Sequence, residues 1–213
     1  MERETGAAAR RVVLLNGPAG VGKTTTGRQL AATARNGVCV HGDDLKRFVV
    51  SRNPETVQGG LSYVGGAALA DVFLDAGYDL VVFEFVFARR RHVERFLRAL
   101  RSPVPVHLLT LWAPLAAVAA REAARPDRER LGARVGECWH ELAAHLDELG
   151  VRIDAARPVS EVVDAARAAL EDGRALLTDS AQERKRPAGA DLSVGDTGLE
   201  PVTSALSRRR SPS

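Results

Sequence analysis

The segment with the clearest chemical pattern is Asn16-Gly17-Pro18-Ala19-Gly20-Val21-Gly22-Lys23-Thr24-Thr25. Its spacing, Gly-x-x-x-x-Gly-Lys-Thr from Gly17 to Thr24, is that of a phosphate-binding loop. Glycines let consecutive backbone N–H groups point at one anion, while Lys23 supplies a compact positive charge and the Thr24 hydroxyl suits Mg²⁺. Lys23 is also a candidate catalytic residue. The predicted nucleotide site consists of Gly17, Pro18, Ala19, Gly20, Val21, Gly22, Lys23, Thr24 and Thr25.

The residues around this loop provide the structural context that the motif requires. A buried strand is predicted over Val12–Leu15 before the loop, and a helix over Thr25–Arg35 after it, whose positive end would face the phosphates. The chain has three lysines against twenty-seven arginines, and one of these lysines stands where the motif needs it. The alternative is a glycine-rich turn between strand and helix that binds no ligand.

Carboxylates follow two other predicted strands. Asp43 and Asp44 come directly after the strand Val38–His41, and either is a candidate base that takes the proton of an acceptor hydroxyl. Alternatively, one of the two caps the following helix. Glu84 ends the apolar strand Leu80–Phe83 and, with Thr24, is a candidate for the metal site. The alternative for Glu84 is a salt-bridged residue at a strand end.

Three arginines, Arg121, Arg125 and Arg128, stand at spacings of four and three around Pro126-Asp127. Positive side chains in a segment that covers the loop would stabilise the negative charge of a transferring phosphoryl group. We expect Arg121 to contact the nucleotide and Arg125 and Arg128 to act in catalysis. The alternative is a solvated helix face with i,i+4 ion pairs to residues such as Glu122.

The elements that position these residues alternate between strands and helices. Strands are predicted over residues 12–15, 38–41, 80–83, 104–111 and 151–154, and the last helix over residues 160–172 with Ser160 as its cap. This order predicts a three-layer α/β fold, with a five-stranded parallel sheet and helices on both faces. In such a sheet the functional residues gather at the carboxyl ends of the strands.

Length and composition fit one globular domain with tails. Of the 213 residues, 45% are hydrophobic and 27% charged. We predict a flexible N-terminus over residues 1–10, a domain over 11–173 and a disordered tail over 174–213 that has either no function or that of a basic interaction tail. The tail holds seven basic and five acidic residues, so the remainder has 23 basic against 22 acidic residues. That balance argues against a nucleic-acid partner, which would require a basic groove.

Two cysteines without metal-binding spacing, and the absence of a signal-peptide pattern or a long apolar run, predict a cytoplasmic protein with no membrane partner.

The assembled motifs resemble the small phosphate-loop kinases, a group that includes chloramphenicol phosphotransferase-like proteins and relatives of gluconate and adenylylsulfate kinases. The resemblance covers residues 11–172. It implies an enzyme that uses ATP and Mg²⁺ to phosphorylate a small-molecule hydroxyl. The chloramphenicol enzymes imply Asp44 as the base, whereas the adenylylsulfate kinases imply Asp43. Glu84 departs from the family, which usually has Asp at that position.

The sequence is also compatible with two other functions. A nucleic-acid end kinase would require a basic groove. A nucleotide-dependent switch without an acceptor would hydrolyse the nucleotide with water and would need neither Asp43 nor Asp44.

Overall fold

The computed structural model of the chain describes residues 10–51, 60–124 and 131–177. Within these residues the strands are β1 Arg11–Asn16, β2 Gly37–His41, β3 Leu80–Glu84, β4 Val106–Trp112 and β5 Val151–Asp154. The α-helices are α1 Lys23–Ala31, α2 Asp44–Arg47, α3 Leu61–Asp75, α4 Arg90–Ala99, α5 Leu115–Ala123, α6 Ala133–Ala143 and α7 Val159–Glu171. A short 3₁₀ turn covers Leu146–Glu148.

The five strands form one parallel sheet in the order β2-β3-β1-β4-β5. The central strands β1, β3 and β4 are almost continuously buried because both faces are covered. Helices α1 and α7 pack on one face, and α3 and α4 on the other. The predicted three-layer fold is confirmed.

Two apolar clusters sandwich the sheet. Alternate residues of β1 belong to different clusters: Val13 and Leu15 face the α1 side, whereas Val12 and Leu14 face the α3 side. The α3 side contains an aromatic group in which Phe83 stacks on Phe96 with ring centroids 5.2 Å apart. Because each face of β1 is fixed by packing, the loop that follows it starts from a rigid strand.

The domain extends past the predicted boundary at residue 173. Ala175 is buried, its carbonyl accepts a hydrogen bond from the Leu108 amide at 2.8 Å, and the Leu177 amide donates to the Val106 carbonyl at 3.0 Å. The segment covers the start of β4, where β5 does not reach, because β5 pairs only with the Leu109–Trp112 half of that strand. Residues 174–177 therefore belong to the domain rather than to the tail, whereas residues 178–213 and 1–9 lie outside the described residues.

The last helix also begins differently from the prediction. Pro158 occupies the position before its first turn, Val159 is its first residue, and Ser160 lies inside the helix. Proline fits this position because its backbone angle suits an approach to a helix and it lacks the N–H that would otherwise go unpaired.

A shortened chain tests the boundary at residue 177. A chain ending at 173 should be less stable than one ending at 177 by about 2 kcal/mol, because it leaves the Leu108 amide and the Val106 carbonyl without their partners and removes the buried Ala175. Thermal unfolding should show a melting temperature lower by roughly 5 °C. Equal melting temperatures would place the boundary where the sequence predicts it.

Candidate active site

The loop between β1 and α1 takes the backbone path that its glycines permit. Gly22 precedes the first helical residue with a φ of +104°, in the left-handed region. Gly20 also has a positive φ, +85°, and in addition a Cβ there would lie 2.7 Å from the Val118 carbonyl oxygen of α5. Gly22 is thus required by its dihedral angle, and Gly20 by its dihedral angle and by a close approach.

The Lys23 side chain folds back over this loop. Its Nζ donates to the carbonyl oxygens of Gly17 at 2.8 Å and Pro18 at 3.0 Å. These bonds place the ammonium at the mouth of the loop, at the first residue of α1, where the helix contributes its partial positive charge. The arrangement concentrates positive potential where the motif predicts phosphates.

Thr24 and Glu84 meet across the gap between α1 and β3. The Thr24 hydroxyl donates to Glu84 Oε1 at 3.0 Å, and the Glu84 side chain is only 3% exposed. Residues far apart in sequence are thus in contact at the carboxyl end of the sheet. The pairing of a hydroxyl and a carboxylate fits Mg²⁺, which prefers oxygen ligands and keeps several waters.

No cluster of three or more His, Cys, Asp or Glu residues within the described ranges could hold a metal ion by itself. A Mg²⁺ ion that is bound mainly by phosphate oxygens and water does not need such a cage. Thr24 and Glu84 are therefore the residues that would hold it here.

His41, which the sequence analysis did not single out, also contacts Glu84. The His41 Nδ1 lies 2.5 Å from Glu84 Oε1, the same oxygen that Thr24 contacts. The two residues are register partners at the ends of β2 and β3. The sequence held a positional signal, because His41 is the last residue of one predicted strand and Glu84 directly follows another.

Asn16 fixes the backbone that follows β3. It is fully buried, its Oδ1 accepts from the Phe87 amide at 2.8 Å, and its Nδ2 donates to the Phe87 carbonyl at 3.1 Å. A third bond joins Nδ2 to the Thr110 hydroxyl of β4 at 3.1 Å. The last residue of β1 therefore ties the start of the phosphate loop to the segment after Glu84.

Asp43 and Asp44 lie at the start of α2, with side chains 53% exposed. Asp43 pairs with Lys46 at 3.0 Å and Asp44 with Arg47 at 3.1 Å, in both cases three residues along the chain. Asp43 stands at the position before the helix but makes no side-chain capping bond. Both carboxylates are therefore accessible at the carboxyl edge of the sheet, and the choice of base between them stays open.

Arg121 packs against the phosphate loop. Its guanidinium donates to the carbonyl oxygens of Ala155 at 2.7 Å and Val21 at 3.4 Å. Beside it a cleft of about 360 Å³ opens between the loop and the segment after β5, lined also by Thr25 and Arg157. Arg157 was missed by the sequence analysis, because nothing in its local pattern distinguishes it from the other surface arginines.

Arg125 and Arg128 lie outside the described residues. Glu122, which the alternative interpretation pairs with an arginine, is buried on α5. Its Oε1 accepts a hydrogen bond from the Leu131 amide at 2.7 Å.

The segment after β3 is held by aromatic packing. The Tyr63 hydroxyl donates to the Val86 carbonyl at 3.0 Å, and its ring stacks on His92 at 5.0 Å. Burial raises the pKa of Tyr63 to about 12, and burial together with nearby arginines lowers the pKa of His92. Tyr63 is thus a neutral, rigid side chain beside the segment that follows Glu84.

With this geometry in place, the comparisons with known proteins identify the family. The sequence profile of the AAA domain family matches residues 12–149, and the chain belongs to that family. A search of curated proteins finds no significant sequence match.

Solved structures of small phosphate-loop kinases share the fold. A sugar kinase from Janibacter sp. HTCC2649 aligns with a TM-score of 0.59 at 19% identity, over 76% of this chain and 95% of that one. The tunicamycin resistance protein of Deinococcus radiodurans gives 0.56 at 20% identity, over 78% and 98%. A gluconokinase from Sinorhizobium meliloti 1021 gives 0.51 at 18% identity, over 79% and 94%. The fold is therefore that of the small phosphate-loop kinases, as the resemblance of the motifs predicted.

Within the described residues no helix is both long and apolar enough to span a membrane.

Replacing Asn16 with alanine tests the anchor after β3. Asn16→Ala should lower the free energy of unfolding by about 2–4 kcal/mol, because it leaves the buried amide and carbonyl of Phe87 without partners. Urea unfolding measures the loss, and Asn36→Ala is the matched control, since the Asn36 side chain is exposed. A loss no larger than that of the control would show that Asn16 does not anchor this segment.

Proposed function

We propose that this protein is a kinase that transfers the γ-phosphoryl group of ATP, with Mg²⁺, to a hydroxyl of a small molecule. The observation that carries the proposal is the 3.0 Å contact between Thr24 and Glu84 beside a glycine loop and its lysine. A phosphate cradle alone would suit any anion, whereas the added hydroxyl–carboxylate pair suits the metal that accompanies a nucleoside triphosphate.

The nucleotide would lie with its phosphates in the loop and its remaining part toward the cleft beside Arg121. That cleft lies on the α7 side of the loop and offers the guanidinium groups of Arg121 and Arg157. Lys23 would exchange its contacts with the loop carbonyls for the β- and γ-phosphates. When bound, Mg²⁺ supplies charge neutralisation at the phosphates, held by Thr24 and supported by Glu84.

Transfer requires that an acceptor oxygen attack the γ-phosphorus while the bond to the β,γ-bridging oxygen breaks. The acceptor proton passes to the carboxylate of Asp43 or Asp44, and ADP leaves with the bridging oxygen. These residues and the loop stand at the same edge of the sheet, which makes positioning and charge neutralisation the main sources of rate enhancement. Arg125 and Arg128 remain proposed catalytic residues on the basis of the sequence alone.

The names of the structural relatives support a small acceptor. Two of these relatives are named a sugar kinase and a gluconokinase, and this chain covers nearly the full length of both. The described residues form one compact sheet domain, with no second substrate domain among them. We therefore propose an acceptor of the size of a sugar or a similar alcohol.

An acceptor is first found by screening sugars, polyols and other alcohols for ATP-dependent mass gain. Variants of Asp43 and Asp44 then test the transfer step. Either Asp43→Asn or Asp44→Asn should lower kcat by at least about 100-fold, because the acceptor proton loses its base. The affinity for Mg·ATP should stay within about threefold of wild type. Asp164→Asn, an exposed carboxylate on α7, is the matched control.

Unchanged turnover in both variants would contradict hydroxyl activation by this pair. Hydrolysis of ATP at the wild-type rate in both variants, with no acceptor phosphorylated by the wild type, would favour the nucleotide-dependent switch.

A further inference from the structure

The carboxylate of Glu84 is held from two sides. Thr24 Oγ1 and His41 Nδ1 both approach Oε1, and Oε2 takes part in neither contact. A proton on the His41 Nδ1 makes the ring a donor to this oxygen. Both contacts are made to Oε1, so Oε2 is the carboxylate oxygen that neither donor contacts.

The pairing of His41 with Glu84 follows from the sheet. β2 and β3 run parallel, His41 is the register partner of Glu84, and the Gly42 amide donates to the Glu84 carbonyl at 3.0 Å. Two residues further back, Cys39 and Val82 are also partners and lie close to Gly27 of α1. Since side chains two apart share a face, His41 and Glu84 point to the α1 side, where Thr24 lies in the first turn of the helix.

Glutamate at this position creates a need for such a partner. It has one more methylene group than aspartate, and therefore one more rotatable bond to be fixed before its carboxylate has a defined position. The His41 side chain is only 12% exposed, so its ring is confined between the strands and α1. A confined donor is suited to selecting one orientation of a buried carboxylate.

We propose that His41 is a positioning residue that orients Glu84 toward the metal of the bound nucleotide. His41 acts through Glu84 and does not itself contact the nucleotide or the reacting atoms. The inference rests on the proposed function, because it concerns the metal that accompanies the triphosphate.

Metal binding is the direct readout. Mn²⁺ replaces Mg²⁺, and its binding to the full-length protein with a non-hydrolysable ATP analogue is measured by electron paramagnetic resonance of free Mn²⁺. His41→Leu should weaken Mn²⁺ binding by about 10-fold or more, the usual range for loss of a residue that orients a ligand. His41→Asn keeps an N–H near the Nδ1 position and should stay within about threefold of wild type. His140→Leu, an exposed histidine on α6, is the matched control.

Two further measurements separate positioning from a merely structural role. Binding of the analogue in EDTA should be unchanged in His41→Leu, because the phosphate loop does not include His41. In a Glu84→Gln background, adding His41→Leu should cause no further loss of Mn²⁺ affinity, because the two residues act as one unit.

The inference is overturned if His41→Leu binds Mn²⁺ as tightly as wild type, if His41→Asn is as weak as His41→Leu, or if metal-free binding falls equally. Should His41→Leu fail to fold, nitrogen NMR of histidine-labelled wild-type protein decides, with the His41 signal assigned from His41→Asn. A protonated Nδ1 whose resonance shifts on addition of the metal–nucleotide complex supports positioning, and an unprotonated Nδ1 or no shift overturns it. Wild-type protein that binds no nucleotide would instead contradict the proposed function.

Discussion

The structure depends on one constraint, namely that the loop after β1 must bring its backbone amides, Lys23 and Thr24 to a single point beside Glu84. The loop can do so because β1 is the central strand and is packed on both faces, which fixes where the loop starts. The close approach of Gly20 to α5 then fixes the path of the loop. A cradle built on the most rigid part of the domain needs little reorganisation when an anion binds, and that favours affinity.

A second layer of contacts holds the groups around this point. Asn16 joins the end of β1 to the segment after β3, and His41 joins the end of β2 to the end of β3. Each contact links neighbouring strands at their carboxyl ends, where strand pairing itself stops. Polar side chains thus hold the strand ends in fixed relative positions at the edge where parallel sheets bind ligands.

Much of this arrangement could be predicted from sequence, for physical reasons. The alternation of apolar runs with helical stripes specifies a parallel sheet, and the glycine spacing specifies the loop because few other residues tolerate its geometry. Thr24 and Glu84 could be brought together by the rule that strand ends share one edge. Contacts between residues of neighbouring strands were harder to predict. The contact between His41 and Glu84, for example, can be predicted only when the strand order β2-β3-β1 is known.

Other features had no local signal. Residues 174–177 lack the alternating apolar pattern of a strand. They are held by hydrogen bonds to the start of β4, which β5 does not pair with and which lies about seventy positions earlier in the sequence. Arg157 joins the cleft beside the loop only because β5 ends next to α5 and α1. Glu122 is buried on α5, and its Oε1 accepts a hydrogen bond from the Leu131 amide nine residues later, a contact that the local charge pattern does not indicate. In each case tertiary packing decided the role of a residue whose neighbours in sequence were uninformative.

The most direct test of the account is calorimetric titration of the protein with Mg·ATP, alongside the Lys23→Ala variant. The account predicts saturable binding to wild type and at least about 10-fold weaker binding to the variant, which corresponds to about 1.4 kcal/mol. Circular dichroism should show that both proteins are folded. Absence of binding to folded wild-type protein, or equal affinity in the two proteins, would contradict the claim that this loop binds a nucleoside triphosphate.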